Sequence, residues 1–207
     1  PQRRKPLREN YAAHASALVE QLTQALGELH TTDADARLSV PGLKPGTLIE
    51  VATRPPEEGS RTKAVKVPAT LEFPAQEIVI LRTERHEDRS ESALMFVPDD
   101  ARSYLQNRIT EYGRDPGDVR RPDIDRFEVV ERIAAASDES LFTGKIDFES
   151  TEIVWWELWV QGLPLRAEHL TGLARAENVD VHTDRLVFPD TTVLFVHAPA
   201  SVLAEFA

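Results

Sequence analysis

Histidines are the side chains of this sequence best suited to bind a metal or to act as a general base. The six histidines are His14, His30, His86, His169, His182 and His197, and none shows the H-E-x-x-H or H-x-H spacing of a metal pair. His182 and His197 lie on the two arms of a predicted hairpin, where their rings could face each other as a half-site of two nitrogens. Because no third ligand accompanies them, a surface pair is the favoured alternative, and we predict no metal site.

Paired carboxylates are the second candidates for chemistry, since two nearby acids can divide the roles of general acid and base. The close pairs of aspartates are Asp33/Asp35, Asp99/Asp100 and Asp123/Asp125. The first falls in a predicted linker. The other two fall at predicted helix starts, where carboxylates accept hydrogen bonds from free backbone N–H groups and meet the positive end of the helix dipole. We therefore predict a capping role for these two pairs.

Nucleophilic and phosphate-binding motifs are missing from the sequence. No G-x-S-x-G elbow, G-x-x-x-x-G-K loop or G-x-G-x-x-G loop occurs, and the chain has only 9 glycines from which to build one. Ser137, Ser140 and Ser150 lie in helix-end or loop contexts, where a serine hydroxyl usually caps the backbone. The sequence therefore predicts no catalytic residue and no cofactor-binding residue.

Three tryptophans lie close together in the segment 153–160, read as I-V-W-W-E-L-W-V. In a strand, Trp155 and Trp159 share one face and Trp156 takes the other. An aromatic platform for a ligand is one interpretation. A strand that is apolar on both faces is more typical of the middle of a sheet covered on both sides, so core packing is the favoured prediction.

The composition narrows the classes of partner. The 207 residues carry Asp+Glu 35 against Lys+Arg 24, a net charge of -11, which argues against a nucleic-acid partner. The absence of cysteine excludes disulfides and thiolate metal sites. No stretch approaches the roughly 20 apolar residues of a membrane span. We expect no nucleic-acid and no membrane partner, and a cytoplasmic location.

Hydrophobic periodicity and turn residues locate the elements that must position these side chains. Asn10 is the predicted N-cap of the first helix, and the polar stretch 30–46 is a predicted linker. The pattern of 63–73 stays ambiguous because Pro68 interrupts any helix there. The predicted helices are 10–29, 99–112, 123–136, 166–177 and one starting near Pro199; the predicted strands are 47–53, 77–84, 92–97, 153–160, 179–188 and 192–197.

The two halves of the chain resemble each other, since Ser92–Val97 and Thr192–His197 are similar strands that each precede a helix. Each half is predicted to run strand, crossover, strand, strand, helix, as in a split β-α-β unit of ferredoxin type that lacks its fourth strand. The fold class is thus α+β, with two ferredoxin-like units, antiparallel sheets and an N-terminal helix. The predicted division is 1–45 for tail, helix and linker, 46–120 for the first unit, and 121–207 for a connecting helix and a truncated second unit. We expect the natural chain to continue beyond Ala207.

Several segments, taken in order, resemble the N-terminal region of a group of bacterial subtilisin-like serine peptidases. They are Lys5–His14, Ala93–Pro98, the strand 153–160 and Arg185–Thr192. The catalytic motifs of that family, D-T-G or D-S-G, H-G-T and G-T-S-x-A, do not occur here, so no catalytic residue carries over.

The resemblance implies that this chain is a non-catalytic part of a subtilisin-like endopeptidase. Pro-regions of that family commonly have a ferredoxin-like fold, assist folding of the catalytic domain and block its active site. The implied partner is therefore the subtilase catalytic domain. The alternative is a sensor or adaptor module that binds another protein, such as the AAA-type ATPase often encoded beside these peptidases, and the helix 10–29, outside both repeat units, favours it.

Overall fold

The computed structural model describes residues 8–28, 45–57, 64–115, 121–143, 146–162 and 164–204. Contacts within the chain divide it into two units, with the boundary between Ala136 and Ser137. Each unit combines an antiparallel sheet with helices, so the predicted α+β class is confirmed. Across these ranges, no helix combines the length and the hydrophobicity that crossing a bilayer requires.

The first unit contains a four-stranded antiparallel sheet in the order β2-β3-β1-β4. Its strands are β1 (Gly46–Thr53), β2 (Val79–Arg85), β3 (Glu91–Pro98) and β4 (Val130–Ala135). The first three confirm the predicted strands, with small differences at their ends. Two short 3-10 helices, Ala69–Leu71 and Pro74–Gln76, lie between β1 and β2, and the first of them falls in the segment 63–73, whose pattern was ambiguous.

Strand β4 corrects a sequence prediction, because 123–136 was expected to form one helix. The segment instead forms the single turn α3 (Ile124–Phe127) followed by β4. The β1–β4 register shifts between Ala52 and Thr53, so Val130 and Ile133 are both buried at a spacing of three. A β-bulge thus imitates helical periodicity. Since β4 pairs with β1, residues 121–136 belong to the first unit, whereas the predicted boundary preceded them.

The N-terminal helix α1 (Tyr11–Glu28) packs within the first unit, against β4 and the helix α2 (Arg102–Gly113). Its residues Leu18 and Leu22 are fully buried in the core of this unit. The expectation that this helix lies outside both repeat units is therefore wrong. The predicted N-cap is confirmed, since the Asn10 side chain accepts the N–H of Ala13 at 2.9 Å.

A close approach marks the crossing of α1 and α2. A Cβ built on Gly113 would lie 2.5 Å from the Cβ of Ala15, so any other residue at Gly113 would push the two helices apart.

A buried polar chain joins α1, α2 and β4. The Tyr112 hydroxyl lies 2.9 Å from Nδ1 of His14, and Nε2 of His14 lies 2.8 Å from the carbonyl oxygen of Val130. Both contacts are satisfied when neutral His14 carries its proton on Nε2, accepts from Tyr112 and donates to Val130. Arg8 donates to the same Val130 carbonyl at 2.9 Å. The helix is thus tied to the last strand by polar contacts as well as by apolar packing.

The second unit contains a three-stranded antiparallel sheet in the order β5-β7-β6. Its elements are the turn α4 (Asp138–Leu141), β5 (Val154–Gln161), α5 (Pro164–Ala176), β6 (Asp180–Val187), β7 (Thr191–Ala198) and α6 (Ala200–Ala204). The predicted strands and helices of this half are therefore confirmed. A separate apolar core forms on one face of the sheet, where Ala167 and Ala174 of α5 pack near Leu194 and Val196 of β7.

Replacing Tyr112 by phenylalanine tests the buried polar chain. The change leaves Nδ1 of His14 without its donor, and we expect the free energy of unfolding to fall by about 1–2 kcal/mol. Chemical denaturation measures this loss. Tyr104→Phe is the matched control, because the Tyr104 hydroxyl on the same helix makes no hydrogen bond to the described residues. Equal effects of the two substitutions would contradict the assignment.

The stability of the first unit should depend on the protonation of His14. Burial lowers the pKa of His14 below its usual 6.5, and the Arg8 charge lowers this pKa further. As the pH falls through 6.5, His14 therefore binds a proton in the unfolded chain but remains neutral in the folded chain. Stability should decline until the pH passes the lowered folded pKa.

The measurement is the difference in the free energy of unfolding between pH 8 and pH 5.5. His14→Gln should be less stable than wild type at pH 8 and should lose less stability on acidification. Parallel curves for the two proteins would show that His14 does not contribute this pH dependence.

Candidate functional site

The open face of the second sheet is the feature best suited to function. Side chains alternate along β5, so Trp156, Leu158 and Val160 turn toward the apolar core beneath α5 and α6. Trp155, Glu157 and Trp159 turn to the opposite face, where Trp155 is 51% and Trp159 63% exposed. Two large aromatic side chains in water are an unusual cost for a folded protein, and such patches commonly mark interaction sites.

Contacts between aromatic rings hold the exposed side chains of this face together. The Trp155 ring stacks on His197, with centroids 4.7 Å apart and an angle of 15° between the planes. The Trp159 ring lies parallel to that of Phe188, with centroids 6.3 Å apart. We call this surface the aromatic face, defined by Trp155, Glu157, Trp159, His182, Leu186, Phe188, Phe195 and His197.

The prediction that the tryptophans pack in the core is wrong for Trp155 and Trp159. Their alternation with Trp156 is as predicted, but α5 and α6 cover only one side of the sheet. Trp156 is half-buried, stacks edge-on against Phe142 and donates from Nε1 to the carbonyl of Ala198 at 2.8 Å. The local sequence is apolar on both faces, and nothing in it tells which face a helix covers.

The aromatic face carries a carboxylate and no fixed positive charge. Glu157 lies between the two exposed tryptophans and accepts a hydrogen bond from Nε1 of Trp159 at 3.3 Å. Arg185 is the one lysine or arginine in the three strands, all of whose residues are described. Its side chain pairs with Glu168 of α5 at 3.5 Å, on the covered side of the sheet. The face can therefore offer a cationic group both a carboxylate and aromatic rings.

His182 and His197 both belong to the aromatic face. Both rings contact Trp155, with the His182 centroid 5.8 Å from that of Trp155. Nδ1 of His182 accepts the backbone N–H of Asp184 at 3.0 Å. No group of three or more His, Asp or Glu side chains in the described ranges is arranged to hold a metal ion. These histidines contribute to the surface around Trp155.

The acidic pairs fulfil the prediction only in part. Asp99, Asp100 and Asp125 lie in the first turn of a helix, near the positive end of its dipole, but Asp99 and Asp123 pair with arginines. Asp123 adopts a left-handed backbone at the start of α3 without a side-chain cap, and its buried carboxylate pairs with Arg108, at 2.6 Å, and Arg126. Asp99 pairs with Arg102 at the start of α2. Arginines thus satisfy carboxylates that were expected to bond backbone N–H groups. Asp33 and Asp35 lie outside the described residues.

The serines keep the local roles predicted for them. At the start of α4, the N–H of Ser137 donates to the Ser140 hydroxyl at 3.3 Å, and the N–H of Glu152 donates to the Ser150 hydroxyl at 3.2 Å.

One serine–histidine contact was missed by sequence reasoning, between Nε2 of His86 and the Ser92 hydroxyl at 2.9 Å. Only their positions on either side of the β2–β3 turn could have indicated it. Ser92 lies within β3, which pairs with β1 and β2 on both sides, rather than on the strained turn that presents a nucleophile. We interpret the contact as a hydrogen bond that stabilises the β2–β3 hairpin.

Comparison with models of known protein families finds no match for this chain, and no curated protein is significantly similar to it.

Tryptophan fluorescence tests the arrangement of the aromatic face. A Trp155→Phe/Trp159→Phe variant retains only half-buried Trp156, whereas Trp156→Phe retains the two exposed indoles. We expect acrylamide to quench the Trp156→Phe variant more strongly, and its emission to lie at longer wavelength. The surface double substitution should change the free energy of unfolding by no more than about 0.5 kcal/mol per site. Stronger quenching of the double variant would contradict this placement.

Proposed function

We propose that this chain is a non-catalytic N-terminal region of a subtilisin-like serine peptidase, acting as a pro-region or regulatory domain of the catalytic domain. The proposal starts from the ordered sequence resemblance. The structural observation that supports it best is the aromatic face, a sheet surface suited to packing against another folded domain. Burying the exposed part of one indole, on the order of 100 Å², would stabilise such a complex by about 2–3 kcal/mol.

We also propose that both units are variants of the ferredoxin-like fold. The order β2-β3-β1-β4 of the first sheet is compatible with a β-α-β-β-α-β chain in which 3-10 turns take the place of the first crossover helix. In the second unit, β5 and β6 flank β7 and are joined through α5, as in the first half of that fold. A ferredoxin-like second unit is what a pro-region of this peptidase class would contain.

The sensor or adaptor alternative loses its main structural argument. It drew on a free N-terminal helix that could bind a partner such as an AAA-type ATPase. Because α1 is part of the first core, a partner could not take its apolar face without opening the unit.

Inhibition of the proposed partner tests this function. Titrating the chain into the subtilisin-like catalytic domain that we propose it accompanies should slow cleavage of a chromogenic peptide. A Trp155→Ala/Trp159→Ala variant should inhibit at least about tenfold more weakly, because buried tryptophans dominate interface energies.

Leu165→Ala is the matched control. Leu165 is 54% exposed on α5, so its removal deletes an exposed apolar side chain away from the aromatic face. This control should inhibit like the wild type. Absence of inhibition and of a complex on a sizing column would refute the proposal, and equal weakening by both variants would refute the role of the aromatic face.

A further inference from the structure

The outer edges of the two sheets differ in how their hydrogen-bonding groups are protected. An edge strand presents unpaired N–H and C=O groups to any extended chain, and proteins usually blunt such edges with charges, bulges or covering elements. The edges of the described sheets are β2 and β4 in the first unit and β5 and β6 in the second. An edge strand without such protection could pair with another extended chain.

The edge at β4 is closed by side chains of the N-terminal segment. Val130 O accepts from His14 and Arg8, and Ile133 N–H donates to Gln21 Oε1 at 2.8 Å. Another strand could not reach these groups without displacing α1.

The edges at β2 and β6 are blunted in other ways. In β2, the Ile80 N–H donates to Glu72 at 3.1 Å, a bulge follows Ile80, and the end of the strand carries alternating charges. In β6, the register shifts between Val181 and Arg185, and half of the residues are charged or histidine. A long, regular pairing is unfavourable at both strands.

The edge at β5 has none of these protections. All eight of its residues pair with β7 in one continuous register without a bulge, and Glu157 is the one charged residue in the strand. No described side chain hydrogen-bonds the backbone of 154–160. Only the carbonyl of Gln161, at the strand end, accepts from Arg166. A regular and mainly apolar edge of this kind is a template for strand addition.

The side chains along β5 determine what such a strand must look like. Alternate residues of an added strand would adjoin Trp156, Leu158 and Val160 on the core side, and these must be apolar. The intervening residues would adjoin the aromatic face, with one of them opposite Glu157. Like charges directly opposite each other are destabilising and opposite charges are favourable. Glu157 has no basic partner among the described residues, and the whole chain is strongly acidic.

We propose that the outer edge of β5 binds an extended segment of another polypeptide by strand addition, and that a lysine or arginine of this segment pairs with Glu157 between Trp155 and Trp159. Hydrogen bonds between the backbones of β5 and the added strand would supply affinity. The alternating pattern of the added strand's side chains, with a basic residue at its centre, would supply selectivity. This inference does not depend on the partner being a peptidase catalytic domain. The competing occupants of the edge are a second copy of this chain and a strand from elsewhere in the same polypeptide.

Synthetic peptides provide the test. The probe is a short fluorescein-labelled peptide of alternating threonine and valine with arginine at its central threonine position, and binding to the whole chain is followed by fluorescence anisotropy. A second peptide has glutamate in place of arginine. A third carries the arginine but is N-methylated at its central residues, which removes the N–H groups that strand pairing needs. We expect the arginine peptide to bind about tenfold more tightly than the glutamate peptide, and the methylated peptide not to bind.

Two protein variants separate the local charge from the overall charge. Glu157→Lys should reverse the preference, so that the glutamate peptide binds more tightly. Glu177→Lys makes the same change of charge at an exposed position beyond the end of α5 and should keep the wild-type preference. Circular dichroism confirms that both variants are folded.

Four results would overturn the proposal. They are no binding of any peptide, equal binding of the methylated peptide, a preference that Glu157→Lys leaves unchanged, or self-association of the chain that leaves no edge for the peptide. Failure here leaves the inhibition experiment untouched, because that experiment uses no peptide strand.

Discussion

The first unit depends on satisfying one buried hydroxyl. Tyr112 is fully buried, and burial is also the main reason that its pKa is raised. An unbonded phenol in this position would cost about 1–3 kcal/mol, which the acceptor Nδ1 of His14 avoids. Because His14 can accept there only while its other nitrogen donates to Val130, the helix, the last strand and the Tyr112 helix must come together in one arrangement. Arg8 and Gln21 make further hydrogen bonds to the backbone of β4.

The two units differ in how the edges and faces of their sheets are covered. In the first, the side chains of α1 cover the outer edge of the sheet, and the 3-10 segment and charges protect the opposite edge. In the second, the helices of the described residues cover one face of the sheet, and the regular edge of β5 adjoins the aromatic face. A partner that pairs with the edge of β5 would also lie beside Trp155 and Trp159. The edge of β5 and the aromatic face therefore form one continuous surface of the second unit.

Most elements could be predicted from the sequence because turns and periodicity are local. The strands of the second unit and the cap at Asn10 follow from such patterns. Strand β4 could not be recognised, because the bulge opposite Thr53 gives a strand the spacing of a helix. The exposure of Trp155 depends on which face of the sheet α5 covers, and its neighbours in sequence carry no information about this.

Contacts between distant parts of the chain, including those that define the candidate surface, could be predicted even less well from the sequence. The contact between His14 and Tyr112 joins residues 98 positions apart. The isolation of Glu157 depends on Arg185 turning to the other side of the sheet. Both features arise from tertiary packing, which no local motif encodes.

The hydrogen bonds between α1 and β4 have a consequence for folding during biosynthesis. His14 leaves the ribosome long before Val130, from which it is separated by 116 positions. At roughly 5–20 residues per second, this interval lasts on the order of 6–20 seconds. Throughout it, the nascent α1 lacks one of its two main packing partners, because α2 is synthesised before β4, and most of the stability of a helix in a protein comes from such packing. The packing of α1 is thus completed only after β4 has been synthesised, and until then its exposed apolar side chains are a natural substrate for chaperones that hold apolar segments.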